Sequence, residues 1–309
     1  MAMLAHNRIL GTAISTNGLR TPSLAKIAAT EFTSLTPENE MKWDTTEPSP
    51  NSFNFGPADM IVNYAQSHQL KVRGHTLVWY NQLAPWVKTI PSGPLLLQTM
   101  RNHVTRVVDH FKGKVTHWDV VNEAFEDNGS RRASIFQRLI GNSYIEEAFK
   151  AARVADPNAK LCYNDYSIED MNAKSTAVYN MVKGFLSRGV PIDCVGFQAH
   201  LTVGQIPSRL QANLQRFANL GVEVQITELD IRMRVPASSS NLQRQARDYQ
   251  TVVSTCLAIS RCTRITIWGI SDKDSWIPSV FPGYGAADLF DNSYDKKPAY
   301  YGVLATLAK

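Results

Sequence analysis

Trp118-Asp119-Val120-Val121-Asn122-Glu123-Ala124-Phe125 is a short apolar run that breaks off on an amide and a carboxyl. Such a run, rich in Val and bounded by polar residues, reads as a buried strand whose last positions leave the core. A second run of the same kind, Val222 to Thr227, ends on Glu228-Leu229-Asp230. Two glutamates closing two strands have the composition that acid-catalysed cleavage of a glycosidic bond needs. One carboxyl gives a proton, and the other stabilises or attacks the sugar.

Outward from these two runs the pattern repeats. Strand-like apolar runs end near Ser15, Asn39, Trp79, Asn122, Asn164, His200, Glu228 and Trp268. Their spacing is mostly that of a βα unit, roughly 30 residues or more. Helical patterns fill the gaps: Pro57 to Gln69, Leu95 to Phe111, Asn172 to Arg188, Pro207 to Leu220, Asn241 to Ile259 and Pro298 to Leu307. In Leu95–Phe111 the residues Leu96, Met100, Val104, Val107, Val108 and Phe111 recur at three- and four-residue steps, which marks one apolar helix face. Eight βα repeats with polar strand ends predict an α/β fold, a (β/α)8 TIM barrel forming a single domain over residues 1–309, with the functional residues at the C-terminal ends of the strands. A doubly wound open sheet is the alternative, but no G-x-G-x-x-G or P-loop opens any helix.

The 309 residues are 44% hydrophobic, enough for a large core, and no stretch approaches the ~18 apolar residues of a membrane span. The net charge of +5 comes from 32 basic and 27 acidic residues that are scattered; Arg131-Arg132 and Lys296-Lys297 are too short to form a nucleic-acid stripe. No nucleic-acid or membrane partner is therefore expected, and the protein is expected to be a monomer. A basic surface would attract acid-decorated polysaccharides at long range. The four cysteines show no C-x-x-C spacing, and no metal constellation is evident. Cys162 and Cys194 lie inside strand-like runs and read as buried free thiols.

The two glutamate segments resemble the acid/base and nucleophile signatures of glycoside hydrolase family 10, the retaining endo-β-1,4-xylanases. Thr36–Asp44 (T-P-E-N-E-M-K-W-D), Arg73–Trp79 (R-G-H-T-L-V-W), Gly196–His200 (G-F-Q-A-H) and Trp268–Trp276 (W-G-I-S-D-K-D-S-W) match in family order, and the likeness runs from about Ile9 to Ala308. The resemblance implies Glu123 as general acid/base and Glu228 as nucleophile, kept ionised through His200 and Asp230. Asn122 would reach the 2-hydroxyl of the reacting sugar. Glu38, Asn39 and Lys42 would bind hydroxyls on the non-reducing side of the cut, with His75, Trp79 and Gln198 as further sugar contacts. The His75–Thr76 bond tends to be cis in the family. Trp268 and Trp276 would stack on pyranose faces, Trp276 as a wall against the extra hydroxymethyl group of glucose, and Tyr166 would line the leaving-group side.

Cys256 and Cys262 enclose a short segment, which suits a local disulfide, and fungal members of the family carry one there. That pairing favours a secreted protein, whereas the N-terminal sequence lacks the apolar region of a secretory signal; a secreted protein whose signal is absent from this chain reconciles the two. Two positions depart from many relatives: Tyr80 replaces a histidine and Ile277 an arginine. Asn128-Gly129-Ser130 is a glycosylation sequon near Glu123. The expected substrate is xylan, with a cellulase on the same barrel or a non-catalytic sugar-binding protein as the competing readings. No cofactor is expected, since the reaction needs only water and two carboxyls.

Overall fold

The structure, a computed structural model, describes Met1 and residues 8–309. Among the described residues there are ten strands: β1 (Ile9–Ile14), β2 (Ser34–Pro37), β3 (Lys71–Val78), β4 (His117–Asn122), β5 (Lys160–Asp165), β6 (Cys194–Phe197), β7 (His200–Thr202), β8 (Glu223–Arg234), β9 (Cys262–Ile267) and β10 (Tyr284–Gly285). Eight of them, all but β7 and β10, pair in parallel in sequence order. The sheet closes because β9 returns to β1, from Ile9↔Arg264 to Thr12↔Ile267. This is a (β/α)8 TIM barrel, with helices between consecutive strands.

The helices form where the apolar period predicts them, with ends displaced by a few residues. Gly93–His110 opens on an extended Ser92 with Pro94 in its first turn, where the ring costs no hydrogen bond. It buries Leu96, Met100, Val104, Val107 and Val108 on one face. Its neighbour, Ser143–Ala155, buries Ile145, Ala148, Phe149 and Ala152. Each large aliphatic side chain so buried contributes about 1.5–3 kcal/mol, so a charge at Val104 would open the contact. Ser143–Ala155 and Pro22–Glu31 are helices that the sequence pattern did not single out.

Inside the barrel the floor is polar. Arg73, Asp119, Gln225 and Arg264 are fully or almost fully buried. Arg73 pairs bidentately with Asp119, through Nε at 3.0 Å and through its Nη2. Asp119 also accepts from His75 Nδ1 at 3.0 Å, which ties the floor to the end of β3. Burial pushes the Asp119 carboxyl up, but the Arg73 and His75 contacts outweigh it and hold the carboxyl below its ordinary value. Gly74 is required on this strand because it faces the buried Trp118 of β4, and a Cβ there would overlap the indole.

Three expectations need correction. The run ending at His200 is two strands: β6 stops at Phe197, Ala199 takes a left-handed φ of 61°, and His200 begins β7. β8 does not stop at Glu228. It runs on to Arg234, beyond the barrel rim, pairing with β7 (His200↔Asp230) and antiparallel with β10 (Tyr284↔Arg234). Finally, Cys162 and Cys194 are not free thiols. They are directly opposed in the β5–β6 register, with Cα atoms 4.4 Å apart, and form a disulfide. Adjacent strands bring such a pair within bonding reach, whatever the apolar setting of each cysteine. The expected Cys256–Cys262 disulfide is also present.

Candidate active site

The C-terminal ends of the strands surround a cleft of about 810 Å³. Glu38, Asn39, Lys42, His75, Trp79, Asn122, Glu123, Tyr166, Gln198, His200, Glu228, Trp268 and Trp276 all line it. Asp230 lies behind the wall, fully buried. The residues singled out from the sequence are therefore brought together by the barrel. His75 and Trp79, four residues apart in sequence, do not meet as alternate positions of one regular strand. β3 ends at Val78, its register with β4 shifts between His75 and Val78, and the His75–Thr76 peptide bond is cis.

Glu123 follows the last residue of β4 and has a φ of +55°. A left-handed backbone costs a non-glycine residue about 1–2 kcal/mol, and a set of hydrogen bonds holds it. Glu123 N donates to Asn164 O at 2.9 Å, and Ala124 N donates to Tyr163 Oη at 2.9 Å. Arg132 Nε donates to Glu123 O at 2.8 Å, with the guanidinium braced by the Tyr166 hydroxyl at 2.8 Å and stacked on Tyr80. The turn aims the carboxyl into the cleft. There Oε2 accepts from Trp79 Nε1 at 2.9 Å, and Oε1 accepts from Gln198 Nε2 at 2.9 Å and Asn122 Nδ2 at 3.2 Å.

Glu228 sits within β8 and is 5% exposed. Its Oε1 accepts from Asn164 Nδ2 at 2.8 Å, and its Oε2 lies 3.0 Å from His200 Nε2. The other ring nitrogen of His200 is 2.8 Å from Asp230 Oδ2, which also accepts from Trp276 Nε1 at 2.8 Å. Burial alone would depress the imidazole pKa, but the two carboxylates raise it to about 10, so His200 is a cation at neutral pH. For Glu228, burial acts to raise the carboxyl pKa. The hydrogen bond from His200 and the nearby charges of His75 and His200 prevail and hold it below its ordinary value.

An amide bridge joins the two glutamates. Asn164 Nδ2 donates both to Glu228 Oε1 and to Asn122 Oδ1, the latter at 2.9 Å. Because Asn122 Oδ1 also accepts from Gln198 at 3.3 Å, the Asn122 amide is turned with its NH2 toward Glu123. Asn164 was read from sequence only as a strand end. Its signal was available, since Lys160–Asp165 closes on Asn-Asp much as the run of β4 breaks off on Asn122 and the following Glu123.

On another wall, Lys42 Nζ donates to Asn39 Oδ1 at 2.9 Å and Gln82 Oε1 at 2.7 Å. Burial lowers the Lys42 pKa against the pull of Glu228, Asp44, Glu38 and Glu123. Burial, aided by Glu40, pushes Glu38 up to about 7. Tyr80, singled out from the sequence as a departure from relatives, also lines the cleft; Asn81, Gln82, Ser167, Arg232, Ser279, Val280 and Phe281 complete the lining and were not anticipated. Most of them come from loops, where no periodicity points to a site. Ile277, by contrast, is fully buried at the start of the short helix Ile277–Val280. Among the described residues no cluster of His, Cys, Asp or Glu suits a metal ion.

The family model for glycosyl hydrolase family 10 matches residues 1–306. The chain is 47% identical to an endo-1,4-beta-xylanase of Agaricus bisporus over 307 residues, covering 98% of this chain and 92% of that protein. Native xylanase 10B from Thermotoga maritima superposes with a TM-score of 0.96 at 43% identity, covering 99% and 97% of the two chains. Xylanase 10B from Thermotoga petrophila RKU-1, solved in complex with xylobiose, gives the same TM-score and identity over 98% and 95%. On this agreement of sequence and fold along nearly its whole length, the chain belongs to glycosyl hydrolase family 10.

Proposed function

We propose that this protein is a retaining endo-β-1,4-xylanase, its whole chain forming the catalytic domain, with Glu123 as acid/base and Glu228 as nucleophile. The observation that carries this reading is the pair of carboxyls in one cleft with different surroundings, one among an indole and two amides and one against a histidine backed by Asp230. In the first step Glu228 attacks the anomeric carbon while Glu123 gives its proton to the leaving glycosidic oxygen, and a covalent glycosyl-enzyme forms. In the second step Glu123 takes a proton from water, which displaces Glu228 and restores the β-configuration. The two carboxyl groups are expected about 5–5.5 Å apart in the reacting complex, the span for this route.

His200 holds the charge of Glu228, and Asp230 holds His200 in register. The Asn122 amide, fixed by its two donors, offers N–H to the sugar 2-hydroxyl as positive charge builds on the ring. Glu38, Asn39, Lys42, His75 and Gln198 bind hydroxyls. The tryptophans Trp79, Trp268 and Trp276 pack on ring faces, Trp276 excluding a C5 hydroxymethyl group, and Tyr166 lines the leaving-group side. Two disulfides favour an oxidising compartment, and we infer secretion, with extracellular xylan as substrate for a monomeric enzyme. The test is proton NMR of freshly cut xylo-oligosaccharide: β-anomer should appear first, and initial α-anomer would overturn the double displacement. Failure to release reducing ends from xylan would overturn the substrate.

A further inference from the structure

Side chains at alternate positions of a strand share a face, and β8 continues well past Glu228. Glu228, Asp230, Arg232 and Arg234 therefore stand in one file, with Arg232 about 13 Å along the strand from Glu228. Arg232 lines the cleft. Its guanidinium carbon lies 4.1 Å from the centroid of Phe281 and 6.0 Å from that of Tyr284. Phe281 in turn meets Trp276 edge-on, with centroids 5.7 Å apart. The arginine is thus laid on an aromatic shelf that is continuous with the wall of the cleft.

Nothing neutralises it. Among the described residues Arg232 makes no ion pair and its side chain no hydrogen bond; Asp230, the acid next in the file, is committed to His200 and Trp276. Lys42, by contrast, is already held by Asn39 and Gln82. Arg234, exposed and stacked on Tyr284, adds a second positive charge just outside. A planar fork of donors with no acceptor, held over Phe281 beside a sugar-binding cleft, matches a carboxylate far better than a hydroxyl, which takes one N–H at a time.

We propose that Arg232 is a binding site for carboxylates carried as branches on the polysaccharide, so that uronic-acid substituents on xylan add to recognition at the edge of the cleft. This rests on the xylanase reading. The net charge of +5 acts in the same direction at longer range.

The test compares a xylo-oligosaccharide bearing one uronic-acid branch with its carboxyl-reduced analogue, which keeps the branch and loses the charge. In the unmodified protein kcat/KM should favour the acid by about 5-fold, the upper end for a partly exposed ion pair. That ratio should fall to about one in Arg232→Gln and invert in Arg232→Glu. In ~1 M salt, where screening acts within ~3 Å, it should also approach one. Each ratio is read within one protein, so changes in overall activity cancel. A ratio of one in the unmodified protein, or a preference that survives Arg232→Gln, overturns the assignment. Affinities of the same two oligosaccharides for Glu228→Gln protein give the ratio without turnover. If the linear oligosaccharide is not cut, the xylanase reading fails, while the affinity ratio still decides Arg232.

Discussion

Glu123 takes its hydrogen bonds from an indole and two amides, all uncharged. Glu228, one amide bridge away, takes its own from Asn164 and from a histidine charged by Asp230. The two side chains are chemically the same and both close to fully buried. What separates them is the company each strand supplies: the turn after β4 presents its carboxyl toward neutral donors, and β8 presents its carboxyl from mid-strand to a cation. Residue type makes both able to act, and the surroundings assign the parts.

The sharpest way to break this contrast is to remove each carboxyl in turn. Glu228→Gln should lower kcat by roughly 10⁴-fold or more on every substrate, because no glycosyl-enzyme can form. Glu123→Ala should lose about 10²- to 10⁴-fold on xylan. On an aryl xyloside whose leaving group needs no proton, it should give a rapid burst and then stall at deglycosylation. Stopped-flow release of the aryl group checks both, and equal loss of the first step in the two variants would erase the proposed division of labour.

A smaller change probes the cation alone. His200→Asn removes the contact that holds Glu228 down, so the acid limb of kcat/KM should move to higher pH. Each unit of that movement removes about 10-fold of activity on the limb. Stability should respond as well. His200 has a folded-state pKa of about 10 against an ordinary 6.5, so the stability it contributes is complete below pH 6.5 and is lost as pH rises through 10. Glu228, with its pKa depressed, contributes stability that is lost only as pH falls through its lowered value. Thermal melts across pH should show the alkaline decline in the unmodified protein and a flatter one in His200→Asn. An unmoved acid limb would detach the histidine from the nucleophile.

The smallest expected effect concerns the disulfide under the amide bridge. Cys162–Cys194 joins β5 and β6, whose ends lead to Asn164 and Gln198, and closes a separation of 32 residues against 6 for Cys256–Cys262. Loop entropy gives about 3.7 kcal/mol for the first and about 2.2 kcal/mol for the second. Replacing Cys162 and Cys194 by alanine should therefore lower Tm more than the same change at Cys256 and Cys262, and should perturb both glutamates together. Unreduced peptide mapping should recover both pairs; alkylated Cys162 would restore the free-thiol reading.

Most of the cleft was legible because a barrel strand announces its functional end: an apolar run stopping on Asn122-Glu123 or Glu228 sets an amide or a carboxyl where packing alone has no use for one. What stayed hidden depends on relations between segments. The Cys162–Cys194 bond is a matter of register between two strands, which neither strand carries alone. The break at Gln198-Ala199 and the long overhang of β8 arise because β7 and β10 pair with that overhang, a partnership with no local signature. Arg132 belongs in sequence to a basic pair too short for a nucleic-acid stripe, yet it clamps the Glu123 backbone, because a folded loop brings it back across the turn.

The overhang of β8 also sets how this protein can change. Glu228, Asp230, Arg232 and Arg234 share a face only while their spacing of two is kept, so β8 behaves as a reading frame written in side chains. Substitutions along it alter one contact each. A single residue inserted or deleted directly after Glu228 would turn Asp230 and both arginines to the opposite face at once, taking from His200 the carboxylate that holds its far ring nitrogen. Substitution along β8 is thus a local event, whereas a change of length is absorbed only in the loops that follow it.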